Sequence, residues 1–124
     1  MVRQLALSYL DAQIPTKDRA VSGRVRVALE RSLGTGATTV AATARLLAMS
    51  PRTVQRRLAD EGTNFGTILD DVRKQRALHL LAESDLPLAQ IASVVGLSSP
   101  TTLSQYARRW WATTARDVRH YSEH

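Results

Sequence analysis

One helical pattern occurs twice in this sequence. Ala44-Arg45-Leu46-Leu47-Ala48-Met49-Ser50 and Ala92-Ser93-Val94-Val95-Gly96-Leu97-Ser98 each begin with a small residue. Each then has apolar residues two and three places on, a small residue suited to a turn, an apolar residue and a serine. A helix opened by proline follows each copy, at Pro51 and at Pro100, and proline belongs at the first helical position. Short helix, tight turn, helix opened by Ser-Pro is the plan of a helix-turn-helix unit. The leading alanine is expected where the two helices cross, because only a small side chain fits there. Ala48 and Gly96 are expected to take the chain reversal, which glycine tolerates better.

The rest of the chain agrees with an all-α fold. Glycine and proline are few and fall between periodic segments, and no stretch sustains period-two alternation. Val2, Leu5, Ala6, Tyr9 and Leu10 give a short amphipathic helix over 2–13, broken by Ile14-Pro15-Thr16-Lys17-Asp18. A helix from about Arg19 to Leu33 sets Val21, Val25, Ala28, Leu29 and Leu33 on one face and ends at Gly34. Thr39 caps a helix from Val40 to about Ala48, and Ser50 caps one from Pro51 to about Asp60. Asn64 caps a long helix from Phe65 to about Glu83. Further helices run from Pro87 to Val95 and from Pro100 to about Trp111. Thr114 with Asp117 resembles a capping box for a last short helix.

The long helix changes its apolar face midway. At 100° per residue, Phe65, Ile68, Leu69 and Val72 share one side, while Ala77, Leu80 and Leu81 share another rotated by roughly 120°. Such a helix packs against two bodies; the alternative is a helix deep in one bundle. The expected organisation is an N-terminal helix and connector over 1–18 and a first helix-turn-helix lobe over 19–64. A linker helix over 65–83 and a second lobe over 84–124 follow. The lobes are expected to be homeodomain-like. The linker spans roughly 28 Å at about 1.5 Å per residue, and successive major-groove faces lie about 34 Å apart. The two second helices would then enter adjacent major grooves.

Charge points the same way. The formal net charge is +6, and fifteen of the seventeen basic residues are arginine, which makes planar bidentate contacts to phosphate and guanine edges. A GC-rich coding bias would give the same arginine excess. The absence of cysteine excludes disulfides, thiolate catalysis and thiolate metal sites. No apolar run approaches the roughly 18 residues of a membrane span, and the N-terminus lacks a secretory pattern. A cytoplasmic protein without membrane partners is the default expectation. His79, His120 and His124 have no carboxylate or nucleophile at a recognisable catalytic spacing, so neither an enzyme nor a metal or other cofactor is expected.

From about Thr39 to Arg119 the chain resembles the tandem helix-turn-helix domain of AraC/XylS-type bacterial transcription regulators. The resemblance rests on Met49-Ser50-Pro51-Arg52-Thr53-Val54-Gln55-Arg56-Arg57-Leu58, on Glu61-Gly62-Thr63-Asn64-Phe65 and on Asp70-Asp71-Val72-Arg73. In the second unit it rests on Leu88-Ala89-Gln90-Ile91-Ala92, on Gly96-Leu97-Ser98 and, more loosely, on Arg108-Arg109-Trp110. Departures cluster late. Leu97, Leu103 and Ala107 stand where the family usually has phenylalanine; Ala112, Ala115 and Val118 stand for glycine, proline and tyrosine. Truncation to Ala107 costs several kcal/mol unless volume is restored; Tyr106 and Trp111 are the candidates to restore it.

The resemblance implies sequence-specific binding of double-stranded DNA in transcription regulation. Val54 and Leu58, at i and i+4, should face the core and leave Arg52, Gln55 and Arg56 outward, at positions that match the family's base-facing ones. In the second unit Pro100, Thr101, Thr102 and Gln105 match groove-facing positions, with Leu103 in the core. Phosphate contacts are expected from Ser50, Ser98 and Ser99 at helix N-termini, from Thr53, and from Arg45, Arg73, Arg108 and Arg109. Alternatives stand beside these: an arginine-rich solvated face, a second helix that only grips the backbone, and Arg73 as an ion-pair partner of Asp70 or Asp71. Trp110 and Trp111 are read as core anchors. Family members carry an effector-sensing or dimerising domain ahead of this one. Only about 38 residues precede the resemblance here, so that domain is expected to be absent from a cut-down chain or a standalone module. The competing reading is a protein-interaction module that touches RNA polymerase through Asp60-Glu61 or Asp70-Asp71, with weak, sequence-blind DNA binding.

Overall fold

A computed structural model of the chain describes residues 20–122. They form seven helices: α1 (Val21–Ser32), α2 (Val40–Leu46), α3 (Pro51–Asp60), α4 (Phe65–Glu83), α5 (Leu88–Val94), α6 (Pro100–Trp111) and α7 (Ala115–Ser122). No strand occurs among the described residues. The expected helix over 2–13 and His124 lie outside the described residues.

Local chemistry sets most helix starts. The side chains of Thr39, Ser50, Asn64 and Ser99 accept hydrogen bonds from the backbone N–H of Ala42, Thr53, Thr67 and Thr102, at 3.1, 3.1, 2.9 and 3.2 Å. Each satisfies an amide that has no partner within its helix. The capping box at α7 closes on one side. Thr114 accepts from the Asp117 amide at 3.1 Å, but the Asp117 carboxylate accepts from the Thr113 hydroxyl at 2.8 Å. α5 starts at Leu88, because Pro87 is the extended flanking residue (ψ 151°) whose carbonyl receives the first helical bonds.

The core is one continuous cluster that runs through both helix-turn-helix units. All five residues of the expected α1 face are buried. In α4, Ile68 and Val72 are buried toward the front, Ala77 and Leu81 toward the back, with Phe65, Leu69 and Leu80 packed beside them. α4 packs most closely on α1 and on α7, which accounts for the rotation of its apolar face. Ala44 and Ala92 are buried where α2 crosses α3 and α5 crosses α6, as small residues at a helix crossing must be. Ala48 and Gly96 both hold left-handed backbone, at φ 56° and 80°.

The two units also touch each other directly. Gly34, after α1, lies against the turn of the second unit; a β-carbon there would sit 2.7 Å from the Val94 carbonyl oxygen. From α4, the Arg73 Nε donates to the Val95 carbonyl at 3.0 Å. The linker is therefore flanked by a seam between the units.

Ala112 ends α6 in left-handed backbone at φ 59°, the place where the resembled family usually has glycine. A β-carbon in that conformation costs about 1–2 kcal/mol, partly offset by the greater freedom of unfolded glycine. Ala112→Gly is expected to stabilise the protein by about 1 kcal/mol and raise its thermal midpoint by roughly 4–8 °C. Circular dichroism melts of the two proteins check this; an equal or lower midpoint would show that the cap is unstrained.

Candidate nucleic-acid interface

α3 is held by its inner face. Val54 and Leu58 are 0% exposed, and this turns Arg52, Gln55, Arg56 and Arg57 outward. Arg52, Gln55 and Arg56 thus form one exposed polar strip over the first two turns of the helix. Thr53 is half-buried, and its hydroxyl accepts from Ser50 Oγ at 2.9 Å.

α6 repeats the plan with an insertion. The second turn has both Ser98 and Ser99 where the first has Ser50 alone, and Ser99 is the residue that caps. With the prolines aligned, Thr101 falls on Arg52, Gln105 on Arg56, and Ala107 on Leu58. Leu103 and Ala107 are buried, while Thr101 and Gln105 are exposed. Thr102 is half-buried, with its hydroxyl 3.2 Å from Ser98 Oγ and 3.1 Å from Ser99 Oγ. The small Ala107 is flanked by aromatic packing. Tyr106 and Trp111 lie partly buried against the core, and Trp110 meets both edge-on, at ring separations of 5.3 and 5.2 Å.

The arginines expected at phosphates divide into two groups. Arg45, at the end of α2, and Arg108, on α6, are exposed. Arg73 and Arg109 are tied down. Arg73 holds the Val95 carbonyl rather than a carboxylate; Asp71 pairs with Arg26 at 2.7 Å, and Asp70 pairs with Arg109. Asp70 also accepts from Trp110 Nε1, 3.1 Å from each oxygen. Trp110 and Trp111 pack against the core, in agreement with their reading as anchors.

Sequence reasoning passed over Arg24. Its Nη2 donates to the Leu47 carbonyl at 3.3 Å and its Nη1 lies 3.9 Å from the Met49 sulfur. Leu47 and Val95 occupy the same place in the two repeats. Each turn is therefore braced by an arginine from the preceding helix, Arg24 of α1 for the first and Arg73 of α4 for the second. The available signal was an arginine 23 and 22 residues ahead of equivalent turn residues. Arg119 was also passed over. It donates to the carbonyls of Leu81 and Ser84 at 3.2 and 3.1 Å, a cation placed at the C-terminal end of α4.

Glu61 closes the first unit from a distance. Its carboxylate accepts from the backbone N–H of Val21 and Ser22 at 2.9 and 3.2 Å and so caps α1 from the end of α3. The Ser22 side chain lowers its pKa most; burial opposes this, and the two amides with nearby Arg57 keep the balance below the ordinary glutamate value. A lowered folded-state pKa stabilises the fold above the unfolded value, and that stabilisation is lost as pH falls through the folded value. Glu61→Gln is expected to lower the denaturation midpoint at pH 7, with the difference shrinking as pH falls below the unfolded glutamate value of about 4.3 and vanishing only below the lower folded one. A difference that persists in acid would assign the effect to packing. Glu61, Asp70 and Asp71, three of the four carboxylates of the competing protein-contact reading, are thus all engaged within the fold.

Two helix pairs of this form, each presenting a polar outer helix and sharing a long central helix, define a tandem helix-turn-helix domain. A family model described as a helix-turn-helix domain matches residues 43–121. The chain belongs to the AraC-type family of helix-turn-helix transcriptional regulators. The HTH-type transcriptional regulator VirS of Mycobacterium tuberculosis is 38% identical over 119 residues, covering 96% of this chain and 35% of that protein. The crystal structure of the transcriptional regulator CdpR from Pseudomonas aeruginosa superposes with a TM-score of 0.61 at 39% identity, over 66% of this chain and 26% of the other. A DNA-binding transcriptional dual regulator from Escherichia coli K-12 shares the fold with a TM-score of 0.79 at 23% identity, over 89% of this chain and 98% of the other. The chain spans about a third of the length of VirS.

Proposed function

We propose that this chain binds double-stranded DNA in a sequence-specific manner as the reading domain of a transcription regulator. α3 and α6 would enter successive major grooves of one duplex face. The observation that carries this reading is the strip of Arg52, Gln55 and Arg56 on a helix fixed from behind by Val54 and Leu58. Arginine pairs with guanine O6 and N7, and glutamine with adenine N6 and N7. Thr101, Thr102 and Gln105 would meet the second groove with shorter reach, Thr102 from within its serine cluster. Ser50, Thr53, Arg45, Ser98, Ser99, Arg73, Arg108 and Arg109 would grip phosphate and fix the register without reading sequence. Such a regulator acts in the cytoplasm, and RNA polymerase and an effector-sensing domain are its further partners in this reading.

The test is selection from a random duplex library at about 150 mM salt, where non-specific binding is weak. Two enriched blocks about one helical turn apart support two reading helices. One block means that α3 reads while α6 grips. Binding that depends on salt alone, without enrichment, overturns the proposal.

A further inference from the structure

A carboxylate beside a polyanion ordinarily weakens binding, yet Asp70 shares a cleft with two of the candidate phosphate contacts, Arg73 and Arg109. It belongs to a cleft of about 490 Å³ between the start of α4 and α6, lined in part by Asn64, Thr67, Asp70, Arg73, Tyr106 and Arg109. Asp70 is fixed on the core side. Both its oxygens accept from the indole N–H of Trp110, and that ring packs against the hydrophobic cluster. One oxygen also receives Nη2 of Arg109. The Arg109 guanidinium lies over the Tyr106 ring, 4.6 Å from its centroid. Carboxylate and ring hold the arginine from two sides, while its side chain remains 59% exposed. A guanidinium has five N–H donors, and the bond to Asp70 uses one.

From this geometry we infer that Asp70 is a positioning residue for DNA-backbone binding: it holds the Arg109 guanidinium in the α4–α6 cleft, oriented toward a phosphate of the strand that spans the two grooves. The inference rests on the DNA-binding reading above and extends it to a residue of the opposite charge. Orienting the fork in advance removes the entropy of immobilising a long side chain on binding. Because Asp70 belongs to the central helix and Arg109 to α6, the contact also ties the grip of the second unit to the frame that carries the first.

The test turns on sign. Asp70→Asn removes a negative charge, so simple electrostatics makes duplex binding tighter; loss of positioning makes it weaker. The probe is a mixed-sequence duplex of about 30 base pairs, long enough for two successive grooves, titrated by fluorescence anisotropy at several salt concentrations. Asp70→Asn is expected to bind about fivefold to tenfold more weakly, with a salt slope smaller by about one. Arg109→Ala, at an exposed side chain, should reproduce both effects. In the Arg109→Ala background the Asp70 substitution should change affinity by less than about twofold. A merely structural role would weaken binding equally with and without Arg109, and that result overturns the inference. So does an Asp70→Asn protein that binds as well as or better than the unsubstituted one, or an Arg109→Ala protein that binds normally. Failure of the unsubstituted protein to bind any duplex overturns the DNA-binding reading itself, and this inference with it.

Discussion

Gly34→Ala is expected to destabilise the protein by about 2–5 kcal/mol, the largest loss foreseen for so small a change. Left-handed backbone at φ +85° contributes about 1–2 kcal/mol of this for any residue with a β-carbon. The rest is steric. The new methyl would sit 2.7 Å from the Val94 carbonyl oxygen and 3.3 Å from that of Ser93, and backbone atoms cannot rotate aside as a side-chain tip can. Overpacking of that kind costs about 1–3 kcal/mol. Gly36 supplies the control. Its φ is +86°, but nothing lies within 4 Å of its virtual β-carbon. Gly36→Ala should lose only the conformational part. Urea denaturation of both variants separates the two contributions, and equal losses would mean that the seam between the units carries no strain.

Arg56→Ala is expected to weaken specific binding by about 1–3 kcal/mol and to relax preference at one base step, while binding to random duplex changes little. Arg56 is exposed on α3, one turn from Arg52, and its loss leaves Val54 and Leu58 to hold the helix. Arg108 is the contrast. An exposed arginine that meets only phosphate should lose affinity uniformly across sequences and flatten the salt dependence by about one unit of slope when changed to alanine. Binding of each variant to the selected duplex and to single-base variants of it distinguishes the two behaviours. An Arg56 variant that weakens every duplex alike would reassign that residue to the backbone.

What the sequence discloses is what short-range physics controls. Periodicity places the buried face of α1 and the rotation of α4, because each residue's direction follows from 100° steps along one helix. The serine and asparagine caps are legible because the hydroxyl or amide and its target amide lie three residues apart. The turns at Ala48 and Gly96 are legible because the repeat aligns two small residues. Long-range pairing leaves no such trace. The bond from Glu61 to the Val21 amide spans 40 residues, and so do the bonds from Trp110 to Asp70. The contact of Gly34 with the Val94 carbonyl depends on how two units settle around a third helix. Arg73 shows the limit plainly. Its neighbours Asp70 and Asp71 offer an ion pair within one helix, yet Arg26, Arg109 and a carbonyl in the other unit compete more favourably. The outward placement of Arg52, Gln55 and Arg56 on α3 follows from helical spacing and their reading role from the family resemblance, whereas the Asp70–Arg109–Trp110 cluster requires the fold.

The seam beside the central helix has a mechanical consequence. Two modules on a slack tether adapt to variable gaps by moving independently of one another. Here Gly34 abuts Val94, Arg73 grips Val95, and one core runs through both units, so the pair has little compliance of its own. In the proposed complex, any mismatch between the spacing of α3 and α6 and the pitch of a straight duplex would fall on the softer body, the DNA. Bending a site of 20–30 base pairs by 40–90° costs of order 1–6 kcal/mol, and the cost varies with how flexible the intervening steps are. Base pairs that no side chain touches would then contribute to affinity through their stiffness, and a protein with this rigid frame would select among promoters partly by how readily they curve.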